Sequence, residues 1–317
     1  MRLSLRPLSY ILAGSVLAAC AGNGSVPTTS PQSGGPANST VRVPVRASNA
    51  WNLYVDGKGV HALFPRGSRV SHTKSTGSHQ LVYHGGPVQN TPVIYVDYWG
   101  FDGTTATDPD GVQPYLNSFL SGLSGNSYFD IVTQYYSAAA GNITDPKGEF
   151  AGAKTAAWVD TANPVPSSPT SNQIAAEAVR AAAHFGYNYN ASYVVALPHG
   201  AFKKLSYCAY HSVTSSPSGD VHYTDLPYQP DLPGCGTDSV NTGAQGQLDS
   251  TSETAAHEVA ETQTDPDTRT GWYDSSGNEI GDYCAYINLQ NITLSTGTFA
   301  IQPLWSNAAS YCAVSYP

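Results

Sequence analysis

Residues 249–284 run DSTSETAAHEVAETQTDPDTRTGWYDSSGNEIGDYC. Ser250 and Glu253 have capping-box spacing, and Ala255, Ala256 and Ala260 favour helix, which predicts a helix from about Thr251 to Gln263. Pro266 ends it and holds Asp265 extended, where that carboxylate can swing beneath the helix end. His257 and Glu261 are four apart and share a face, with Glu258 about 100° round the axis. This is the layout of H-E-x-x-H with Glu in place of the second His. Zinc accepts carboxylate oxygen as well as imidazole nitrogen, so His257 and Glu261 are candidate ligands and Glu258 a candidate general base.

Eight of the 23 acidic residues fall between positions 253 and 282: Glu253, Glu258, Glu261, Asp265, Asp267, Asp274, Glu279 and Asp282. Arg269 is the only basic residue among them. Carboxylates at this density repel one another unless a cation or bound protons offset them. Gly277 and Gly281 permit a tight excursion of Asn278-Glu279-Ile280, which offers Glu279 or Asp282 as a further ligand. Zinc suits His257, calcium suits the oxygen set, and an acidic turn region facing solvent without an ion is the third reading. Met1 is the only methionine, so no metzincin Met-turn exists, and no third His follows the motif. A gluzincin-like set using Glu279, or an aspartate variant using Asp282, stays open. No G-x-S-x-G occurs, which disfavours a serine nucleophile.

Working outward, Gln80–His84, Pro92–Trp99, Tyr128–Tyr136 and Tyr193–Leu197 read as strands. Val112, Leu116, Phe119, Leu120 and Leu123 form one helix face. Residues 171–185 form another helix, opened by a Thr170/Gln173 capping box and stopped by Gly186. The stretch from Pro198 to Asp249 is long enough to carry function or hairpins of its own. The fold class is therefore α/β: a central sheet flanked by helices, the H-E-x-x-E helix, and a small irregular disulfide-bearing C-terminal region. A zincin-like topology is one form this could take.

At the N-terminus Arg2 and Arg6 precede an apolar run from Leu8 to Ala19, which reads as a signal peptide over residues 1–19. Leu17-Ala18-Ala19-Cys20 resembles a bacterial lipobox, making Cys20 the lipidated first residue of an outer-membrane lipoprotein. A flexible Ser/Pro/Gly tether spans 20–45, and 46–317 forms a single globular domain whose C-terminal subregion is 264–317. Four later cysteines, Cys208, Cys235, Cys284 and Cys312, suggest two disulfides in an oxidising compartment. Sequence proximity favours Cys208–Cys235 and Cys284–Cys312 among three pairings.

Charged residues are 12% of the 317, and the formal charge is −9. Loss of Arg2 and Arg6 leaves 12 basic against 23 acidic groups, a charge of −11. Without a basic stripe, nucleic acid is excluded as a general partner. The partners expected are a protein or glycan substrate at the cell surface and the outer membrane through the lipid anchor.

YHGGPV (83–88), TPVIYVDYWG (91–100), YCAYHS (207–212), LPYQPD (226–231), HEVAETQTDP (257–266), GWYDSSGNEIGDYC (271–284) and QPLWSN (302–307) carry a family resemblance. Over roughly residues 80–312 the chain resembles the phosphate-induced, EXORDIUM-like proteins of plants and their bacterial relatives. The resemblance implies export and a shared fold. The plant members are extracellular proteins linked to growth responses, so it implies no particular activity.

His199 and His211 sit where a sheet end meets the long loop, as distant metal ligands or as hydrogen-bonded scaffolding. His84 is similar, and His184 complements a helix C-terminus. Tyr95, Tyr98, Trp99 and Phe101 read as core and rim first, a sugar-stacking platform second. Two functions follow. One is a surface lipoprotein with a zinc-dependent, peptidase-like hydrolase site. The other is a non-catalytic extracellular binding or scaffold protein with a structural calcium or no ion.

Overall fold

The computed structural model describes residues 52–55, 58–68, 80–145 and 156–316. The chain divides into Met1–Val41 and Arg42–Pro317, and every described residue lies in the second unit. The signal peptide, the lipidation site Cys20 and the tether lie outside the described residues. Among the described residues no helix is long and apolar enough to cross a membrane.

Seven strands form the main sheet: β1 (Asn52–Val55), β2 (Lys58–Leu63), β3 (Val93–Tyr98), β4 (Ala157–Trp158), β5 (Ala191–Ala196), β6 (Ala209–Ser216) and β7 (Gly219–Leu226). Their order is β1-β2-β6-β7-β5-β3-β4. The half from β7 to β4 is parallel and the half from β1 to β7 antiparallel, so the sheet is mixed. β6 and β7 are the hairpin inside the long stretch after Pro198, which explains that stretch without a structureless loop.

The central parallel strands β3 (VIYVDY) and β5 (ASYVVA) have helices on both sides and read as largely apolar runs. Alternate residues go to opposite faces. Tyr193, Val195, Tyr210, Val221 and Tyr223 pack on Ile174, Ala178 and Ala181 of α2 (Ser171–Phe185). Val96, Tyr98, Val194, Ala196 and Ala209 join the core formed with α1 (Val112–Gly122) and α4 (Asp249–Thr264). A one-turn helix, α3 (Gly243–Gly246), precedes α4. The hairpin Gln290–Leu294/Gly297–Ile301 packs on α4 as well. Tyr98, Trp99 and Phe101 are buried core residues and Tyr95 stacks on Phe185, so these aromatics do not form an exposed platform.

The Thr170/Gln173 capping box is present, and Gly186 ends α2 at φ 91°. α1 is started by Asp108, whose carboxylate accepts from the Val112 and Gln113 amides at 2.7 and 3.0 Å. Both disulfides have the pairing favoured by proximity, Cys208–Cys235 and Cys284–Cys312. Two disulfides accord with an oxidising compartment.

Two local expectations fail. Tyr128–Tyr136 is not a strand: Phe129–Gln134 is a 3-10 helix, with only Tyr136–Ser137 extended. Asn126 starts this coil by accepting from the Tyr128 amide, and Phe129, Ile131 and Val132 all enter the core. No Ser250/Glu253 capping box forms. α4 starts two residues early, at Asp249, with no side-chain cap, and Glu253 instead accepts from Ser239 at 2.6 Å.

Candidate metal centre

Every residue of α4 is buried, although its sequence is largely polar. Ala255, Ala256, Val259 and Ala260 supply the core contacts. Four of its hydroxyls find partners inside, among them Ser252 donating to the Ala300 carbonyl, Thr254 to Gln229, and Thr262 to the Glu258 carbonyl, while those of Ser250 and Thr251 have none. Burying polar groups costs least when they are paired. The acidic run is therefore no solvated face. Of its eight carboxylates all but Asp267 are buried.

The loop after the helix is built to come back beneath it. Asp265, φ −145°, accepts from the Thr270 and Gly271 amides and so caps the turn instead of reaching the helix end. Asp274 accepts from the Ser276 and Asn278 amides, and Gly277 takes φ +83°. Gly281 then passes flat against the His257 ring. A Cβ there would lie 2.6 Å from His257 Nδ1, so no other residue fits. This brings Glu279 and Asp282 under α4.

Two further histidines complete the cluster. His61 on β2 and His211 on β6 are register partners, and the alternation of both strands turns them toward α4. Thus His61, His211, His257, Glu258, Glu261, Glu279 and Asp282 meet in one interior site. Of these, the sequence left His61 unremarked and took His211 as a distant candidate. The one available signal was an imidazole at the α4-facing position of an apolar strand, in VHALF and AYHSV.

His257 Nε2 is 3.0 Å from Glu261 Oε1 and 3.8 Å from Asp282 Oδ1. His61 Nδ1 lies 3.4 Å from Glu261 Oε2 and 3.8 Å from Glu279 Oε1. His211 Nδ1 is 3.4 Å from both Glu258 Oε2 and Glu261 Oε2, and its Nε2 is 3.4 Å from Glu279 Oε2. Asp282 Oδ2 is 3.4 Å from His61 Nε2. Most of these spacings are too long for an imidazolium–carboxylate hydrogen bond, which closes to about 2.7–2.9 Å. They match donors around a tetrahedral ion, since bonds of about 2.0–2.1 Å set neighbouring ligand atoms roughly 3.3–3.4 Å apart.

Polar atoms without a hydrogen-bond partner point the same way. His211 Nε2, His257 Nε2, Glu258 Oε1, both Glu279 oxygens and Asp282 Oδ1 are buried and unpaired in this sense. His61 donates through Nε2 to the Gly277 carbonyl at 3.1 Å, which turns Nδ1 toward the carboxylates. The Gln302 amide lies 3.1 Å from His257 Nδ1. The same amide nitrogen donates to the Gly281 carbonyl at 2.7 Å, so ligation through His257 Nε2 requires the amide to give up that bond and turn its oxygen to accept the Nδ1 proton.

The electrostatics are severe. Among the described residues, the ion pairs of these carboxylates are all with histidine. Like charges about 4–5 Å apart cost about 3–4 kcal/mol at an effective dielectric constant near 20. Burial works to lower the His257 pKa, but the Glu261 charge and hydrogen bond, with Glu258 and Asp282, raise it to about 10. His211, likewise opposed by burial, is raised to about 9 by Glu258 and Glu261. Burial, then Asp265 and Glu261, holds Glu279 well above the carboxylate range. Asp282 is pushed by burial up to about 7. Glu261 falls well below its usual value, because the three imidazoles outweigh its burial. The shifts diverge because like charges and imidazoles share one buried cluster.

The other described histidines stand apart, His222 pairing with Asp267 at 3.0 Å. His199 pairs with Asp231 at 2.7 Å on an exposed edge. His84 stacks on Tyr273, and His184 on Trp158. A cleft of about 410 Å³ lies elsewhere, lined by Tyr83, Gly86, Asn90, Ser137 and Tyr189 among others. The chain matches no protein-family model, no curated protein and no solved structure.

Proposed function

We propose that this is an exported metal-dependent hydrolase of the peptidase type, with zinc held at the cluster around Glu261. One observation carries the reading: two buried sets at ligand spacing, His61, His211, Glu261 and Glu279 and then His257, Glu258 and Glu261, share Glu261, with Asp282 alongside, and Glu258 Oε1 has no hydrogen-bond partner. Closed structural zinc sites are typically rich in cysteine, and here the four described cysteines are in disulfides. Histidine–carboxylate sets are the composition of catalytic zinc sites, and three imidazoles favour zinc over calcium. Glu258 would take a proton from a metal-activated water. A helix lying beneath a mixed sheet is compatible with a zincin-like arrangement. Anchoring through Cys20 at the outer membrane, and kinship with EXORDIUM-like proteins, belong to the same reading.

A second reading is favoured by burial. His61, His211, His257, Glu258, Glu261, Glu279 and Asp282 are each 2% exposed or less, and a substrate needs access. In that reading the ion, zinc or calcium, holds a non-catalytic binding or scaffold protein together. Metal analysis and turnover on protein substrates separate the two. Stoichiometric zinc with metal-dependent peptide hydrolysis supports the first. Zinc or calcium with a chelator-sensitive melting temperature and no turnover supports the second, and no bound metal overturns the first.

A further inference from the structure

The arrangement of donors about Glu261 carries more than one ion position. Its two carboxylate oxygens face different ligand sets. Oε1 is 3.0 Å from His257 Nε2, on the side where Asp282 Oδ1 also approaches that ring. Oε2 is 3.4 Å from His61 Nδ1 and 3.4 Å from His211 Nδ1, on the side closed by Glu279. Asp282 presents only Oδ1 toward His257, since Oδ2 accepts from the Glu279 amide at 2.6 Å and faces His61 Nε2, the nitrogen that donates to Gly277. The geometry points to two divalent cations bridged by Glu261, one held by His257 with Glu258 and Asp282 beside it and the other by His61, His211 and Glu279. This rests on the metal-centre reading above and extends it from one ion to two.

Two independent features support the pair. The first is the orphaned donors: His257 Nε2 and Asp282 Oδ1 lie on one side of Glu261, His211 Nε2 and both Glu279 oxygens on the other. A single ion within bond reach of one group leaves the other group buried and unpaired. The second is charge. Glu258, Glu261, Glu279 and Asp282 carry four negative charges when ionised, and the histidines must be neutral to ligate. Two divalent ions balance four carboxylates, whereas one leaves two uncompensated charges in a site almost closed to solvent. Ions sharing a carboxylate stand about 3.5–4 Å apart, the separation at which paired metals clamp the attacking and leaving oxygens of a hydrolytic displacement.

The unmodified full chain, stripped by chelation and reloaded with zinc, is expected to retain two equivalents after dialysis, measured by mass spectrometry of the metal. One equivalent overturns the two-ion assignment while leaving the metal centre, and none overturns both. Reloading with manganese(II) alone gives a readout independent of turnover. Two bridged ions yield an exchange-coupled multiline paramagnetic spectrum, and an isolated six-line signal at saturation overturns the bridge. His211→Ala and His257→Ala, each with unchanged circular dichroism, should each fall to one equivalent of zinc. Retention of two by either removes that histidine from the assignment.

Discussion

His61 and His211 stand opposite one another on adjacent antiparallel strands, ring centroids 5.9 Å apart, and both turn a nitrogen to the same Glu261 oxygen. The sheet thus supplies two imidazoles and α4 supplies the third, with Glu261 between them. His61→Gln should weaken zinc binding by about 100-fold or more, a loss at the upper end of that seen for groups that merely orient a ligand. Competition against a chromogenic chelator measures this, and an unchanged affinity would remove His61 from the centre.

Glu258 has two roles within reach, since its Oε2 is 3.4 Å from His211 Nδ1 while Oε1 lacks a hydrogen-bond partner. If it is the general base, Glu258→Gln keeps its metal and loses roughly 10²–10⁴-fold in kcat on protein substrates. If it only orients His211, metal affinity drops instead by about 10–100-fold and the residual activity tracks metal loading. Steady-state kinetics at saturating zinc tell these apart.

Metal binding should strengthen as pH rises. Against the pull of burial, neighbouring carboxylates raise His257 to about 10 and His211 to about 9, so both rings carry a proton at neutral pH that the ion must displace. Each displaced proton makes apparent affinity climb up to about tenfold per pH unit below those values. Calorimetry in two buffers of different ionisation enthalpy should show proton release, and identical heats would contradict the shifts. In the metal-free protein the raised values stabilise the fold fully below the ordinary histidine pKa of about 6.5. That contribution should fade as pH rises through 9 and 10.

Glu253 gives a pH effect outside the metal set. Burial first, then the charge of Asp249, pushes it up to about 8, and its Oε2 has no partner. A raised carboxyl favours the fold when protonated, so its penalty grows between its ordinary pKa and 8. Glu253→Gln should therefore melt higher than the parent above pH 8, by about 2–4 kcal/mol in stability, and match it near pH 4. Equal melting curves at both pH values would show that Glu253 is not protonated in the fold.

The Cys208–Cys235 bridge closes 27 residues and anchors the strand that carries His211, Cys208 N donating to the Leu63 carbonyl of β2. Replacing both cysteines by alanine should cost about 3–4 kcal/mol from the loop-entropy relation. Urea unfolding with and without zinc measures it, and zinc should recover part of the loss if an ion at His61 and His211 ties the same strands together.

Much of the local architecture was legible in the chain. Thr170 and Gln173 define a helix start through contacts three residues apart, and Gly186 defines its end. Val93–Tyr98 and Ala191–Ala196 are apolar enough to mark strands buried on both faces. The pairing of the cysteines followed from proximity, and His257, Glu258 and Glu261 fall on a helix by their spacing. Tyr128–Tyr136 misled, because aromatic and branched residues favour strand, while here core burial and Asn126 favour a 3-10 coil.

What sequence alone determined was a helix with candidate ligands and an acidic segment after it. It did not determine whether those carboxylates meet water. That was decided by the sheet, α1 and the C-terminal hairpin closing over α4, which converts a polar helix into a buried one. Nor could spacing find His61, 200 residues from Glu261, since its place depends on strand register across β2 and β6. Helix faces are set by contacts three or four residues apart and can be read locally. A cluster gathered from a sheet, a helix and a returning loop exists only once long-range packing has closed it, and it is that packing that sets the carboxylates and imidazoles within ligand spacing.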